Sequence, residues 1–240
     1  MYESLNIKED SRVLDLGCGY GKLWRNNLEQ LPNGLVVDGV DLHGSWVDEF
    51  SSFISEHKKD LPQSASFSIN WGDVENEETW NVLSREGSYD YVIAHYLMEF
   101  ISDVSIFVER VATNVSEGGM FSCNGFEISI EHLFWKQAFT DMKLKTSFIS
   151  EKMGKEEKLY DEFKELLENH FKKVEIVAMD NSMSYTDSQE VFERLCARYP
   201  ENKKYLMEKE KEIKEYFDHV IIKNEQVIVT NESQFWHCIR

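Results

Sequence analysis

Val13-Leu14-Asp15-Leu16-Gly17-Cys18-Gly19-Tyr20-Gly21 is an apolar run that carries one acid and passes into three glycines at alternate positions. Glycine tolerates backbone conformations closed to other residues and lets a ligand approach to contact distance. A strand that leads through such a turn into a helix therefore leaves amide N–H groups facing the ligand. The run reads as a nucleotide-type cofactor site. Its spacing argues against the dinucleotide fingerprint, in which the third glycine stands three residues after the second. Here Gly21 follows Gly19 after one residue, and Lys22 stands where that fingerprint has its last glycine.

The acids downstream extend the pattern. Residues 35–42 read as a second buried strand with Asp41 at its end, 20 residues beyond Gly21, the usual place for an acid that grips ribose hydroxyls. A carboxylate accepting two O–H donors fixes the sugar through charge-assisted bonds. Asp41 could instead cap the next helix, although Ser45, with Asp48 three residues on, fits that job better. Phe67 to Val74 reads as a third strand closing on Asp73, Tyr89 to Tyr96 as a fourth, and Gly118-Gly119 closes the next helix before a fifth strand, Met120 to Asn124.

Over about residues 11–125 this order resembles class I S-adenosylmethionine-dependent methyltransferases, whose motif I is an acid-x-Gly-x-Gly-x-Gly run. The resemblance implies an α/β fold, Rossmann-like: a doubly wound, mostly parallel seven-stranded sheet with helices on both faces and an antiparallel last strand. It implies S-adenosyl-L-methionine as cofactor, held by Asp15, Gly17, Cys18, Gly19, Asp41, Leu42, Asp73, Val74 and His95. Within that set Asp73 would accept from the adenine amino group and Val74 would offer a backbone N–H to the ring. Asp73 also reads as an ordinary loop aspartate, and the Cys18 side chain as packing.

A chain of 240 residues suits one α/β domain with elaborations. No stretch reaches the ~20 apolar residues of a membrane span, and MYESLNIKED lacks the pattern of a signal peptide, so no membrane and a cytoplasmic location are expected. Cys18, Cys123, Cys196 and Cys238 form no Cys-x-x-Cys pair, so neither a disulfide framework nor a metal site is expected. Twenty-six basic against 44 acidic residues give a net charge of −18, a surface that repels phosphate backbones. Ala94-His95-Tyr96-Leu97 also lacks the Asn/Asp-Pro-Pro-Tyr/Phe element of enzymes that methylate adenine in DNA. No nucleic acid partner is expected.

Helical stripes follow at Trp24, Leu28 and Leu31 before Pro32, at Trp46, Phe50, Phe53 and Ile54, at Val104 to Val115, and at Leu159 to Phe171. A sixth strand spans Val174 to Met179, and a β-rich segment, Gln226 to Thr230 and Phe235 to Arg240, resembles the family's antiparallel final strand. Only Met1 to Arg12 precede the first strand, so any cover over the cofactor must come from insertions at about 127–154 and 185–220. The second opens with Thr186 and Gln189 at capping-box spacing and breaks at Pro200. Its amphipathic helices read as a lid that builds an acceptor pocket, or as a homodimer interface or plain packing. His95, Tyr96 and His132 are the candidates for catalytic contacts, each equally readable as a packing residue.

The expected activity is in-line methyl transfer to O or N of a small-molecule acceptor. Two other readings stand beside it: a non-catalytic cofactor-binding or scaffold protein, and a nicotinamide-dependent dehydrogenase.

Overall fold

The computed structural model describes Met1–Arg240 apart from the side chain of Glu86. Its strands are β1 (Arg12–Leu16), β2 (Val36–Asp41), β3 (Ser66–Trp71), β4 (Tyr89–Ala94), β5 (Val115–Asn124), β6 (Lys173–Asp180), β7 (Met183–Tyr185), β8 (Val227–Val229) and β9 (Glu232–Ile239). Its helices are α1 (Tyr2–Leu5), α2 (Lys22–Arg25), α3 (Gly44–Glu56), α4 (Glu77–Leu83), α5 (Val104–Asn114), α6 (Glu131–Asp141), α7 (Ser147–His170), α8 (Ser188–Arg198), α9 (Lys203–Glu208) and α10 (Glu210–Asn224).

Seven strands form one sheet in the order β3-β2-β1-β4-β5-β9-β6. The pairs from β3 to β5 are parallel, and β9 runs antiparallel to β5. Strands covered on both faces read as continuous apolar runs. Accordingly Val13, Leu14 and Leu16 of β1 and Val92 and Ile93 of β4 are all fully buried. Phe50 of α3 and Phe107, Val108 and Val111 of α5 supply helix faces to this core. The expected α/β sheet with its antiparallel strand is the observed one.

The chain divides into two compact units. The first contains Met1–Phe126, Asp161–Val177 and Gln234–Arg240; the second contains Glu127–Tyr160 and Ala178–Ser233. Both expected insertions fall in the second unit, which has its own core around Trp135, Phe148, Phe192, Leu195, Tyr199 and Phe217. Among the described residues, no helix is long and apolar enough to cross a membrane.

Several local expectations are corrected. Val227–Val229 does not join the main sheet: it pairs antiparallel with β7 in a separate two-stranded ribbon. Gly118-Gly119 lies inside β5 rather than closing a helix; α5 ends at Asn114, and Gly118 takes φ +75° where the register against β4 shifts. The stripe at Trp24 and Leu28 is broken into α2 and a 3-10 turn, Leu28–Gln30. Helix α7 passes through Gly154 without a break. Asp187, not Thr186, caps α8, its carboxylate accepting from the Gln189 N–H at 2.6 Å. His43, not Ser45, is the N-cap residue of α3.

Candidate active site

The sheet order reverses beside β1, which has β2 on one side and β4 on the other. In open α/β sheets a ligand crevice forms at such a reversal, outside the carboxyl ends of the strands. A cleft is found there, lined by Gly17 after β1, Asp41, Leu42 and His43 at the end of β2, Trp46 on α3, Gly72 to Glu75 after β3, and Tyr96, Leu97, Phe100 and Ile101 after β4.

The glycine turn is tied to β2 by the N–H groups of Gly17 and Cys18, which both donate to the Val40 carbonyl at 2.8 and 3.2 Å. Gly17 takes φ +68°, and a Cβ there would lie 2.9 Å from Leu97 Cδ1, so the turn presents bare backbone to the cleft. The Asp41 carboxylate is buried and braces the site, Oδ2 accepting from the Gly19 N–H and Oδ1 from the His43 N–H, each at 2.8 Å. Each oxygen keeps a second lone pair for a ligand hydroxyl. Asp73 follows β3, its Oδ1 accepting from the Glu75 N–H at 2.9 Å.

Five of the residues named from the sequence for the cofactor therefore line one cleft: Gly17, Asp41, Leu42, Asp73 and Val74. Others sit behind it. Asp15 is buried and accepts from Trp24 Nε1 at 2.7 Å; burial foremost pushes its carboxyl up to about 7, against the Trp24 hydrogen bond and with the Asp41 charge. Cys18 packs inward, where its Sγ would meet a Cβ on Gly39 at 3.1 Å, and burial raises its thiol well above the usual range. Gly19 serves through its N–H to Asp41.

The three catalytic candidates part company. Tyr96 lines the cleft, 59% exposed, in the left-handed region at φ +58° and held there by its N–H donating to Asn124 Oδ1 at 2.5 Å. Strain of this kind in a non-glycine residue persists where the surroundings over-determine it. His95 Nε2 bonds Ser122 Oγ at 2.8 Å, and burial foremost, with His237 next, pushes its pKa down to about 3. A neutral imidazole so hard to protonate is a weak proton acceptor.

His132 lies in the second unit, fully buried, with Nδ1 2.5 Å from the Tyr199 hydroxyl and Nε2 2.9 Å from Glu156 Oε2. Arg198 Nη2 also lies 2.9 Å from Nε2, so both nitrogens are engaged by protein groups and no open face remains for an acceptor. Beside it, fully buried Glu131 accepts from Arg194 at 2.9 and 2.5 Å and from Trp135 Nε1 at 2.9 Å.

Sequence reasoning missed His43, Trp46, Glu75, Leu97, Phe100 and Ile101 as lining residues. Trp46 fitted the apolar stripe of its helix, yet it is 42% exposed and packs on His43 with ring centroids 4.4 Å apart. Phe100 follows β4 in a 3-10 turn that no periodicity announces. The available signal was position, since apolar residues just past the carboxyl ends of parallel strands face the crevice.

Residues 14–121 match the family model described as a methyltransferase domain. Pavine N-methyltransferase from Thalictrum flavum subsp. glaucum is 30% identical over 118 residues, which are 49% of this chain and 30% of that enzyme. The YcgJ protein of Bacillus subtilis superposes with a TM-score of 0.50 at 15% identity, covering 100% of this chain and 96% of the other. Phosphoethanolamine N-methyltransferase 2 of Haemonchus contortus, in complex with S-adenosyl-L-methionine, gives 0.49 at 16% identity over 98% of this chain and 49% of that one. The chain thus spans half or less of both named N-methyltransferases. The glycine turn, Asp41 and Asp73 all lie inside the residues that match the methyltransferase-domain model.

Proposed function

We propose that this protein transfers the methyl group of S-adenosylmethionine to an oxygen or nitrogen of a small molecule. The observation that carries the reading is the cleft beside β1, where bare glycine backbone, the Asp41 carboxylate and Asp73 converge among apolar walls. Such a cradle fits a nucleoside cofactor: Asp41 for the ribose hydroxyls, Asp73 for the adenine amino group, Leu42 and Val74 against the ring. Bound there, the cofactor supplies a methyl group already activated on a sulfonium. The protein's task is then to hold the acceptor at near-attack distance and exclude water, which is worth about 7–11 kcal/mol of barrier. No strong base is needed for a neutral amine, and the neutral, buried His95 agrees with that. The net charge of −18 disfavours polynucleotide acceptors, and the printed name of the plant relative favours nitrogen.

Asp41→Ala should weaken S-adenosylmethionine binding by about 1.5–3 kcal/mol, the scale of hydrogen bonds to a charged group. Titration calorimetry reads this directly, and unchanged affinity would remove Asp41 from the ribose. Mass spectrometry of cell extract incubated with enzyme and cofactor tests the activity: a metabolite should gain one methyl as S-adenosylhomocysteine appears. Binding of cofactor without turnover on any acceptor would leave the scaffold reading instead.

The role we propose for the two insertions is acceptor recognition. Hydrogen exchange should then show protection across residues 185–220 when S-adenosylhomocysteine and acceptor are both present. No change there would point to a homodimer interface or plain packing.

A further inference from the structure

The second unit holds a cavity of its own. It measures about 780 Å³, against about 240 Å³ for the cofactor cleft, and all of its lining residues fall within Glu127–Tyr160 and Ala178–Ser233. Small-molecule sites span about 300–1,000 Å³ and are mostly apolar, with a few polar groups that set orientation. Helix α6 supplies Leu133 and Phe134, α10 supplies Tyr216, Phe217 and Val220, and β8 supplies Ile228. Leu133 and Ile228 remain 57% and 53% exposed, apolar surface that a ligand would take out of water.

The aromatic wall of this cavity is fixed from behind. Phe134 and Phe217 stack with planes 17° apart and centroids at 6.1 Å, Trp135 meets Phe134 edge-on at 4.9 Å, and Tyr216 meets Phe217 edge-on at 5.1 Å. Stacked and edge-on pairs at these distances are the arrangements aromatic rings prefer. Trp135 and Phe217 are buried members of the unit's core, and the Tyr216 hydroxyl donates to Asp141 Oδ2 at 3.0 Å, so the wall keeps its shape without a ligand.

The absence of charge selects the ligand. Among the described residues none of the thirteen that line the cavity is charged, in a chain of which 29% of residues are. An ion drawn into such a site loses water and gains no counter-charge, a cost that a neutral molecule avoids. Asp141 bonds two of the lining side chains, but both of its oxygens are taken, Oδ2 by Tyr216 and Oδ1 by Gln137 Nε2 at 2.7 Å. Gln137 so turned keeps its carbonyl oxygen as an acceptor, and Asn224 and Gln226 add further side-chain amides to the lining.

We infer that this cavity binds a neutral, mostly apolar ring compound that carries a hydrogen-bond donor, its rings against the Phe134 and Tyr216 wall and its polar group met by the amides. The site shares no lining residue with the cofactor cleft, so it stands whether or not the methyl-transfer reading holds.

Two fluorescent probes share one ring frame: N-phenyl-1-naphthylamine, which is neutral and carries an N–H, and 1-anilinonaphthalene-8-sulfonate, which adds a negative charge. Both brighten in apolar surroundings and are titrated into the full chain. The neutral probe should saturate at one per chain and bind at least about tenfold tighter than the sulfonate. Leu133→Gln and Ile228→Gln should each weaken the neutral probe about three- to twelvefold, the loss of roughly half of a buried aliphatic contact, with the melting temperature unchanged because both side chains are half-exposed. Ile222, 84% exposed and outside the cavity lining, is the control, and Ile222→Gln should leave affinity unchanged. Excess S-adenosylhomocysteine should not displace the probe. Binding that never saturates, equal affinity for the two probes, indifference to both lining variants, or displacement by S-adenosylhomocysteine overturns the inference. So does a dimer that forms as protein concentration rises and expels the probe, which would give this surface to a second copy of the chain.

Discussion

Gly21→Ala should destabilise the first unit by about 2–5 kcal/mol and lower its melting temperature by roughly 4–20 °C. Gly21 takes φ +81° at the start of α2, a conformation that costs an L-residue about 1–2 kcal/mol. An added Cβ would also run into the ring of Phe50, a fully buried member of the core under the glycine turn. Overpacking of that kind costs about 1–3 kcal/mol more. The two contributions separate experimentally. Gly118 takes a similar φ, +75°, with open space where its Cβ would go, so Gly118→Ala carries the backbone cost alone. Gly21→Ala combined with Phe50→Leu should recover the packing share. Denaturant melts of the four proteins check this, and a double variant no better than Gly21→Ala would place the clash elsewhere.

Glu131→Ala should cost the second unit about 3–5 kcal/mol, because it removes one partner from a buried ion pair and leaves the other uncompensated. Arg194 loses both of its carboxylate bonds and Trp135 its Nε1 acceptor. Arg194 is 30% exposed and can partly rehydrate, which puts the expected value nearer the lower figure. Near-ultraviolet circular dichroism at Trp135 during denaturant unfolding reads the loss. The exposed pair between Lys209 and Glu212 is the control, since surface pairs are worth about 0–1 kcal/mol. If Glu131→Ala proves no more damaging than Glu212→Ala, the buried network does not hold this unit together.

The middle of the sheet was legible because β1 and β4 are buried and so are written largely in apolar residues, as in Val13 to Leu16 and Tyr89 to Ala94. The acids of the cleft were legible because glycine spacing fixes the turn, and strand length then fixes where Asp41 falls. Partners far apart in sequence were not. The alternation in Gln226 to Thr230 says strand, yet its pairing with Tyr185 rather than with the sheet depends on a residue more than forty positions away. His132 looks in sequence like any histidine that opens a helix; Glu156 and Tyr199 decide that it is locked in a polar network. Trp46 and Phe50 share one apolar stripe, and only the packed fold shows that Phe50 is buried while Trp46 faces the cleft.

The sheet order has a consequence for how the chain acquires its structure. In that order β6 has β9 as its only neighbour, and β9 slots between β5 and β6 although it follows both in sequence. Its pairing closes a long excursion: Trp236 Nε1 donates to the carbonyl of Gly125 across 111 residues. Loop closure over such separations slows the search for the native arrangement more than it lowers final stability. Until residues 232–239 are in place, β6 waits with both edges unpaired, a state that invites intermolecular strand pairing. Its exposed positions include Lys173 and Glu175, side chains that make it a poor template for a neighbouring chain while it waits.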